Sequence, residues 1–107
     1  MGKFSRDKGN RVEREIVRRL QDHYGLAAER VPLSGASGGR FAADLSIPVN
    51  GQDLRLEVKA RANGFAQIYD WLGANDALVI KADRKPALIV MSLERAAGYA
   101  QIIEALK

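Results

Sequence analysis

The sequence predicts an α/β fold: a single domain, residues 1–107, built on a mixed, roughly five-stranded sheet flanked by helices. Three observations carry this. Between Arg11 and Tyr24, apolar residues recur at helical spacing. Between Ala42 and Arg61 they alternate on either side of Asn50-Gly51, the strongest short hairpin signal. After Arg61 come a helical stretch, two apolar runs and a second helical stretch, so the element order is α-β-β-β-α-β-β-α. A chain of 107 residues suffices for one modest core, and no repeat, low-complexity tract or linker divides it.

Taken in order, residues 1–10 are polar and read as a loose basic arm. The first helix follows, over about Arg11 to Tyr24. With Val12 at zero and about 100° per residue, Ile16, Leu20, Tyr24 and Val17 gather on one apolar face. Glu13 falls in the middle of that face and Glu15 on the opposite one, among Arg18, Arg19 and Asp22. A carboxylate on an apolar face costs free energy unless a cation meets it. Glu13 therefore has a buried ion-pair partner or a bound cation, or snorkels to solvent at the helix start, whereas Glu15 is a surface charge. Gly25 stops the helix. Leu26 to Val31 suits a short strand that Pro32 ends, and a glycine- and serine-rich loop, Ser34 to Arg40, leads into the hairpin.

In the hairpin, a type I′ turn at Asn50-Gly51 places Val49 opposite Gln52, and every facing pair of numbers sums to 101. Ala43, Leu45, Ile47, Leu54, Leu56 and Val58 then share one face. Asp44, opposite Glu57, shares the other with Lys59. Directly opposed side chains have Cβ atoms about 4.5–5.5 Å apart, and like charges there repel. Two such carboxylates make either a site for a divalent cation or a solvated polar face. Beyond the hairpin, Phe65 to Ala74 is helical, with Phe65, Ile68, Tyr69 and Leu72 on a core-facing side and Trp71 off its centre. Ala77 to Ile80 and Ala87 to Met91 read as buried strands joined at Asp83-Arg84-Lys85-Pro86. Ser92 caps a final helix that runs to about Leu106.

Composition narrows the function. The absence of cysteine excludes disulfides, thiol chemistry and cysteine-based zinc sites, and the single histidine, His23, cannot build a histidine metal site. No apolar run approaches the roughly 20 residues of a membrane span, and the first residues lack a signal-type apolar segment, so a cytoplasmic protein with no membrane partner is expected. The net charge of +4 is concentrated at the start. Residues 1–20 hold seven basic and three acidic side chains, whereas residues 21–107 hold ten of each. Such a patch is the footprint of a nucleic-acid binder, or a solubilising tail.

Four blocks in order, Lys8 to Val17, Arg30 to Gly35, Ala43-Asp44-Leu45 and Glu57 to Arg61, resemble the PD-(D/E)XK nuclease superfamily with its restriction-endonuclease-like core, and within it the archaeal Holliday-junction resolvases. Ala43 stands where the family has proline, a residue that shapes the strand and carries no chemistry. The resemblance implies that Glu13, Asp44 and Glu57 serve a metal site, that Lys59 is the catalytic lysine and that Ser34 acts at the phosphate. It also implies Mg²⁺ as cofactor, with Mn²⁺ as a substitute, and a homodimer that cuts branched DNA in recombination and repair. Gln67 matches a glutamine of related nucleases. Lys8, Arg11, Arg14, Arg40 and Arg61 are the candidates for holding the DNA backbone, a contact that gives affinity without sequence information. The residues alone leave open a nicking, restriction-type or phage DNA-processing nuclease, a non-catalytic DNA-binding module on the same fold, and a protein-interaction domain.

Overall fold

A computed structural model describes the backbone of residues 2–32 and 43–107, and side chains from residue 8 onward. Among these residues, three helices and five strands occur in the expected order: α1 (Gly2–Tyr24), β1 (Glu29–Arg30), β2 (Leu45–Val49), β3 (Gln52–Leu56), α2 (Ala66–Leu72), β4 (Leu78–Ile80), β5 (Leu88–Val90) and α3 (Leu93–Ala105). Ser34, Arg40 and the loop between them lie outside the described residues.

Helix α1 begins at Gly2, so the basic arm is helical rather than loose. Lys3 to Asn10 show no apolar periodicity, but they contain no proline either. Extending an existing helix costs little compared with nucleating one, and the packed turns from Val12 onward supply the nucleus. The helix ends where Gly25 takes φ 63° and donates its N–H to the Gln21 carbonyl at 3.1 Å, an αL-type stop.

The hairpin has the expected turn and, from Leu45 to Val49, the expected register; the facing of Asp44 and Glu57 expected beyond it is not part of the ladder, which ends at Leu45–Leu56. Asn50 and Gly51 take φ 54° and 78°, and the pairs run from Leu45–Leu56 to Val49–Gln52. On β2, Leu45, Ile47 and Val49 are buried while Ser46 and Pro48 are only partly so, as period-2 alternation requires. β1 pairs antiparallel with the far side of β2, giving the order β1-β2-β3. The apolar face meets α1 and α3 in a core of Leu20, Leu26, Ala28, Ile47, Val49 and Ala97. At the hairpin tip, the Asn50 N–H donates to Glu104 of α3 at 2.6 Å.

The sheet itself differs from expectation. Among the described residues there is no single mixed five-stranded sheet: β4 and β5 form a separate antiparallel pair, and every ladder is antiparallel. Strands β4 and β5 have three residues each and β3 leaves its ladder after Leu56, so the two sheets share no long edge along which to merge. Nor are β4 and β5 buried: Val79, Leu88 and Ile89 are all exposed. No helix among the described residues is long and apolar enough to cross a membrane.

Candidate active site and its groove

The first strand of the hairpin enters its ladder through an irregularity. The Asp44 N–H donates to the Leu56 carbonyl at 2.9 Å, although Leu56 already faces Leu45 in the ladder. Regular pairing ends there, and Asp44 lies just outside the ladder. The consequence is visible one step on. The half-buried Asp44 reaches across so that its Oδ2 accepts the backbone N–H of Val58 at 2.7 Å. Val58 lies between Glu57 and Lys59, so Asp44 is fastened to the middle of the Glu57-Val58-Lys59 segment. Lys59 Nζ stands 3.1 Å from Glu57 Oε2, and both side chains are more than half exposed, at 59% and 55%. A contact so open to solvent contributes little to stability, so these two side chains are free to meet another group.

Glu13 and Glu15 separate as the helical wheel requires. Glu15 is exposed and lies 4.0 Å from Arg11. Glu13 is only 15% exposed, and its Oε1 meets both Nη2 and Nε of Arg30, at 3.1 and 3.2 Å. Arg30 Nη2 also donates to Asn10 Oδ1 at 2.8 Å. The cation that the apolar face demanded is thus an arginine on β1. Arg30 and Asn10 were not singled out as partners from sequence. The signal for Arg30 was present, since it is the basic residue at the end of the short strand following α1. Among the described residues, no three carboxylate or imidazole groups stand close enough together to hold one ion, so Glu13 does not join Asp44 and Glu57 in one cluster.

A groove of about 450 Å³ runs past this segment, between α1, the chain after β3 and α2. Val58 and Lys59 belong both to the acidic segment and to the groove wall. Of the basic residues expected at DNA, Lys8 and Arg61 line it together with Lys59. Arg14 does not; it lies by a smaller depression with Arg18, Gln21 and Arg30, and Arg11 is exposed, 4.0 Å from Glu15. Tyr69, expected to face the core, lines the groove and is 72% exposed. The exposed Gln67 is not among the residues that line it.

The donors at this site are oxygen. With no cysteine and one histidine in the chain, Asp44 and Glu57 suit a hard divalent cation, which is often held through one or two carboxylates with water and phosphate filling the remaining positions.

Asp44 is thus tied to the Glu57-Val58-Lys59 segment at the end of the hairpin, beside a groove lined by Lys8, Lys59 and Arg61. Residues 4–73 match the family described as "Phage putative PDDEXK endonuclease", and the chain belongs to that family. It is also 38% identical over 60 residues to the crossover junction endodeoxyribonuclease Hjc of Sulfurisphaera tokodaii. That stretch covers 56% of this chain and 41% of the relative, so the chain matches about two-fifths of that protein's length. No solved structure matches it.

Proposed function

We propose that the protein is a metal-dependent endonuclease that hydrolyses DNA phosphodiester bonds, with branched or junction DNA as its preferred substrate. The single observation that supports this most is the Asp44 carboxylate bonded to the backbone between Glu57 and Lys59. Family membership and the partial similarity to a junction endonuclease point the same way.

In this reading Asp44 and Glu57 hold Mg²⁺, for which Mn²⁺ substitutes. The ion, when bound, activates water and offsets phosphate charge. Everything else falls to the chain's own groups. The Val58 N–H fixes the Asp44 carboxylate in one orientation. Lys59 offers a compact ammonium at the groove wall, where it donates to the phosphate as water bonds to phosphorus, one P–O bond breaks and charge on the oxygens rises. A preorganised donor of this kind is commonly worth about 10²–10³ in rate. Glu13 acts at one remove from α1, its charge held in place by Arg30. Lys8 and Arg61 hold the strand by its phosphates, as Arg11, Arg14 and Arg40 do along neighbouring backbone, and Ser34 contributes at the phosphate. Two copies would give the paired cuts that a four-way junction needs, so a homodimer belongs to the same proposal.

The family description favours one alternative, a phage DNA-processing nuclease acting on another DNA form. A single gel assay separates the two. Labelled junction, fork, flap and linear duplex are incubated with the protein and either Mg²⁺ or EDTA. Junction cleavage that EDTA abolishes is the expected result. Faster cutting of linear duplex selects the alternative, and equal cutting with EDTA rejects the metal-dependent mechanism.

A further inference from the structure

We infer that the groove beside Lys59 takes one unpaired nucleotide of the DNA substrate, its base against the rings of Phe65 and Tyr69 and its phosphate against Lys59 and Arg61. This rests on the nuclease reading above and adds to it the feature of DNA that the site selects.

The groove's two kinds of surface lead to this occupant. Its three cations come from two separate segments, with Lys8 on α1 and Lys59 and Arg61 after β3, and none of the residues lining it is acidic. That charge is complementary to a phosphodiester. A phosphate contact alone, however, needs no apolar wall, and this groove has one. Val12, Ile16 and Val58 line it half-buried, with Phe65 at the start of α2. Tyr69 lies one helical turn beyond Phe65, on the same side of α2. Tyr69 is 72% exposed, where a packing role would have covered it. Flat rings beside cations along a groove are the means by which proteins seat bases without reading their sequence, because every base has a π-face. The groove's volume, about 450 Å³, falls in the range of sites for small ligands, roughly 300–1,000 Å³.

A base can lie flat on a side chain only after leaving its stack. That exchange costs least where the nucleotide is already unpaired or mismatched. A junction centre, flap base or bulge meets this condition, whereas an intact duplex does not. Selectivity for branched DNA thus has a local origin: the site rewards strands that have a free base next to the phosphate presented to Lys59.

Equilibrium binding in EDTA tests this without cleavage. The probes are a DNA duplex carrying one bulged 5-iodouracil and the same duplex with that nucleotide paired. Wild type is expected to prefer the bulged probe, and light is expected to cross-link its iodouracil to Phe65 or Tyr69. Tyr69→Ala should cut affinity for the bulged probe by about 5- to 150-fold, the range for removing a stacked ring, and leave affinity for the paired probe unchanged. Tyr69→Phe should behave as wild type. The inference is overturned if wild type shows no preference, if Tyr69→Ala weakens both probes equally, or if the preference survives it. The nuclease reading fails separately. A protein that prefers the bulge and never cuts keeps the groove assignment and loses the enzymatic one. One that cuts every substrate with no preference for the bulge does the reverse.

Discussion

Among the described residues, two antiparallel hairpins have opposite fates. The first, β2–β3, follows its pattern into the core along β2, where Leu45 is fully covered, although β3 stays exposed up to Leu56, with Leu54 at 45%; its turn holds Asn50 and Gly51, and its polar end carries Asp44, Glu57 and Lys59. The second, β4–β5, is apolar along both strands yet exposed, with Leu88 at 61%. Its turn puts an arginine, Arg84, at φ 63°. Alternation states which side of a strand is covered. A continuous apolar run states only that the residues are apolar, and leaves the covering element unnamed. The first hairpin is specified by its own sequence, and the second only by its neighbours.

The sharpest way to break this contrast is by truncation. Leu45→Ala should cost about 2–5 kcal/mol, the usual range for a buried leucine. Leu88→Ala, on an exposed strand, should cost no more than about 0.5 kcal/mol, as surface changes do. Urea unfolding of both variants makes the comparison, and equal losses would mean that the second hairpin is as well covered as the first.

The turns give a smaller difference of opposite sign. A side chain in the left-handed region costs about 1–2 kcal/mol. Gly51→Ala should lose about that much. Arg84→Gly should relieve the same strain, less the roughly 0.4–1 kcal/mol that glycine's freedom in the unfolded chain takes back. Thermal melts of the pair should move in opposite directions, with the larger shift at Gly51.

The smallest effect concerns α3, which connects to the first hairpin at its tip and to α1 through Glu94. Arg19 and then Tyr24 donate hydrogen bonds to the Glu94 carboxylate and hold its pKa below the ordinary value near 4.5. A depressed carboxylate contributes stability that is present above its unfolded value and is lost as pH falls through the folded one. Glu94→Gln should therefore lower the melting temperature slightly at neutral pH. The gap from wild type should close as pH falls below the ordinary carboxylate value. Curves that stay parallel down to acid pH would show that this cluster does not couple to folding. Because Glu94 is exposed, the whole effect is a small one.

Much of this was legible in the sequence, for identifiable reasons. The eight elements and their order follow from periodicity and turn residues. The register from Leu45 to Val49 follows from Asn50-Gly51 alone. The fates of Glu13 and Glu15 follow from the helical wheel. What was not legible depends on contacts between distant residues. The bond from the Asp44 N–H to the Leu56 carbonyl, at the end of the ladder, is one that no alternation reveals. Tyr69 lies on the apolar side of its helix, and only the placement of α2 decides whether that side meets the core or a groove. Arg30 could be named as Glu13's partner only once β1 and α1 were side by side. The extension of α1 to Gly2 carried no apolar signal at all.

The central claim is that the Asp44 carboxylate, held at the end of the ladder by the Val58 N–H, acts in phosphodiester cleavage, and Asp44→Asn tests it most directly. Asparagine retains a carbonyl oxygen that can accept the Val58 N–H, so the hairpin end should stay folded. It removes the negative charge that a divalent cation needs, and with it some repulsion of phosphate. Single-turnover cleavage of the preferred DNA in Mg²⁺ should fall by at least about 10²-fold, the scale on which removing one electrostatic element of an active site acts. DNA affinity measured in parallel should hold or tighten. Cleavage by folded Asp44→Asn at the wild-type rate would contradict the claim and leave the polar end of the hairpin an ordinary solvated surface.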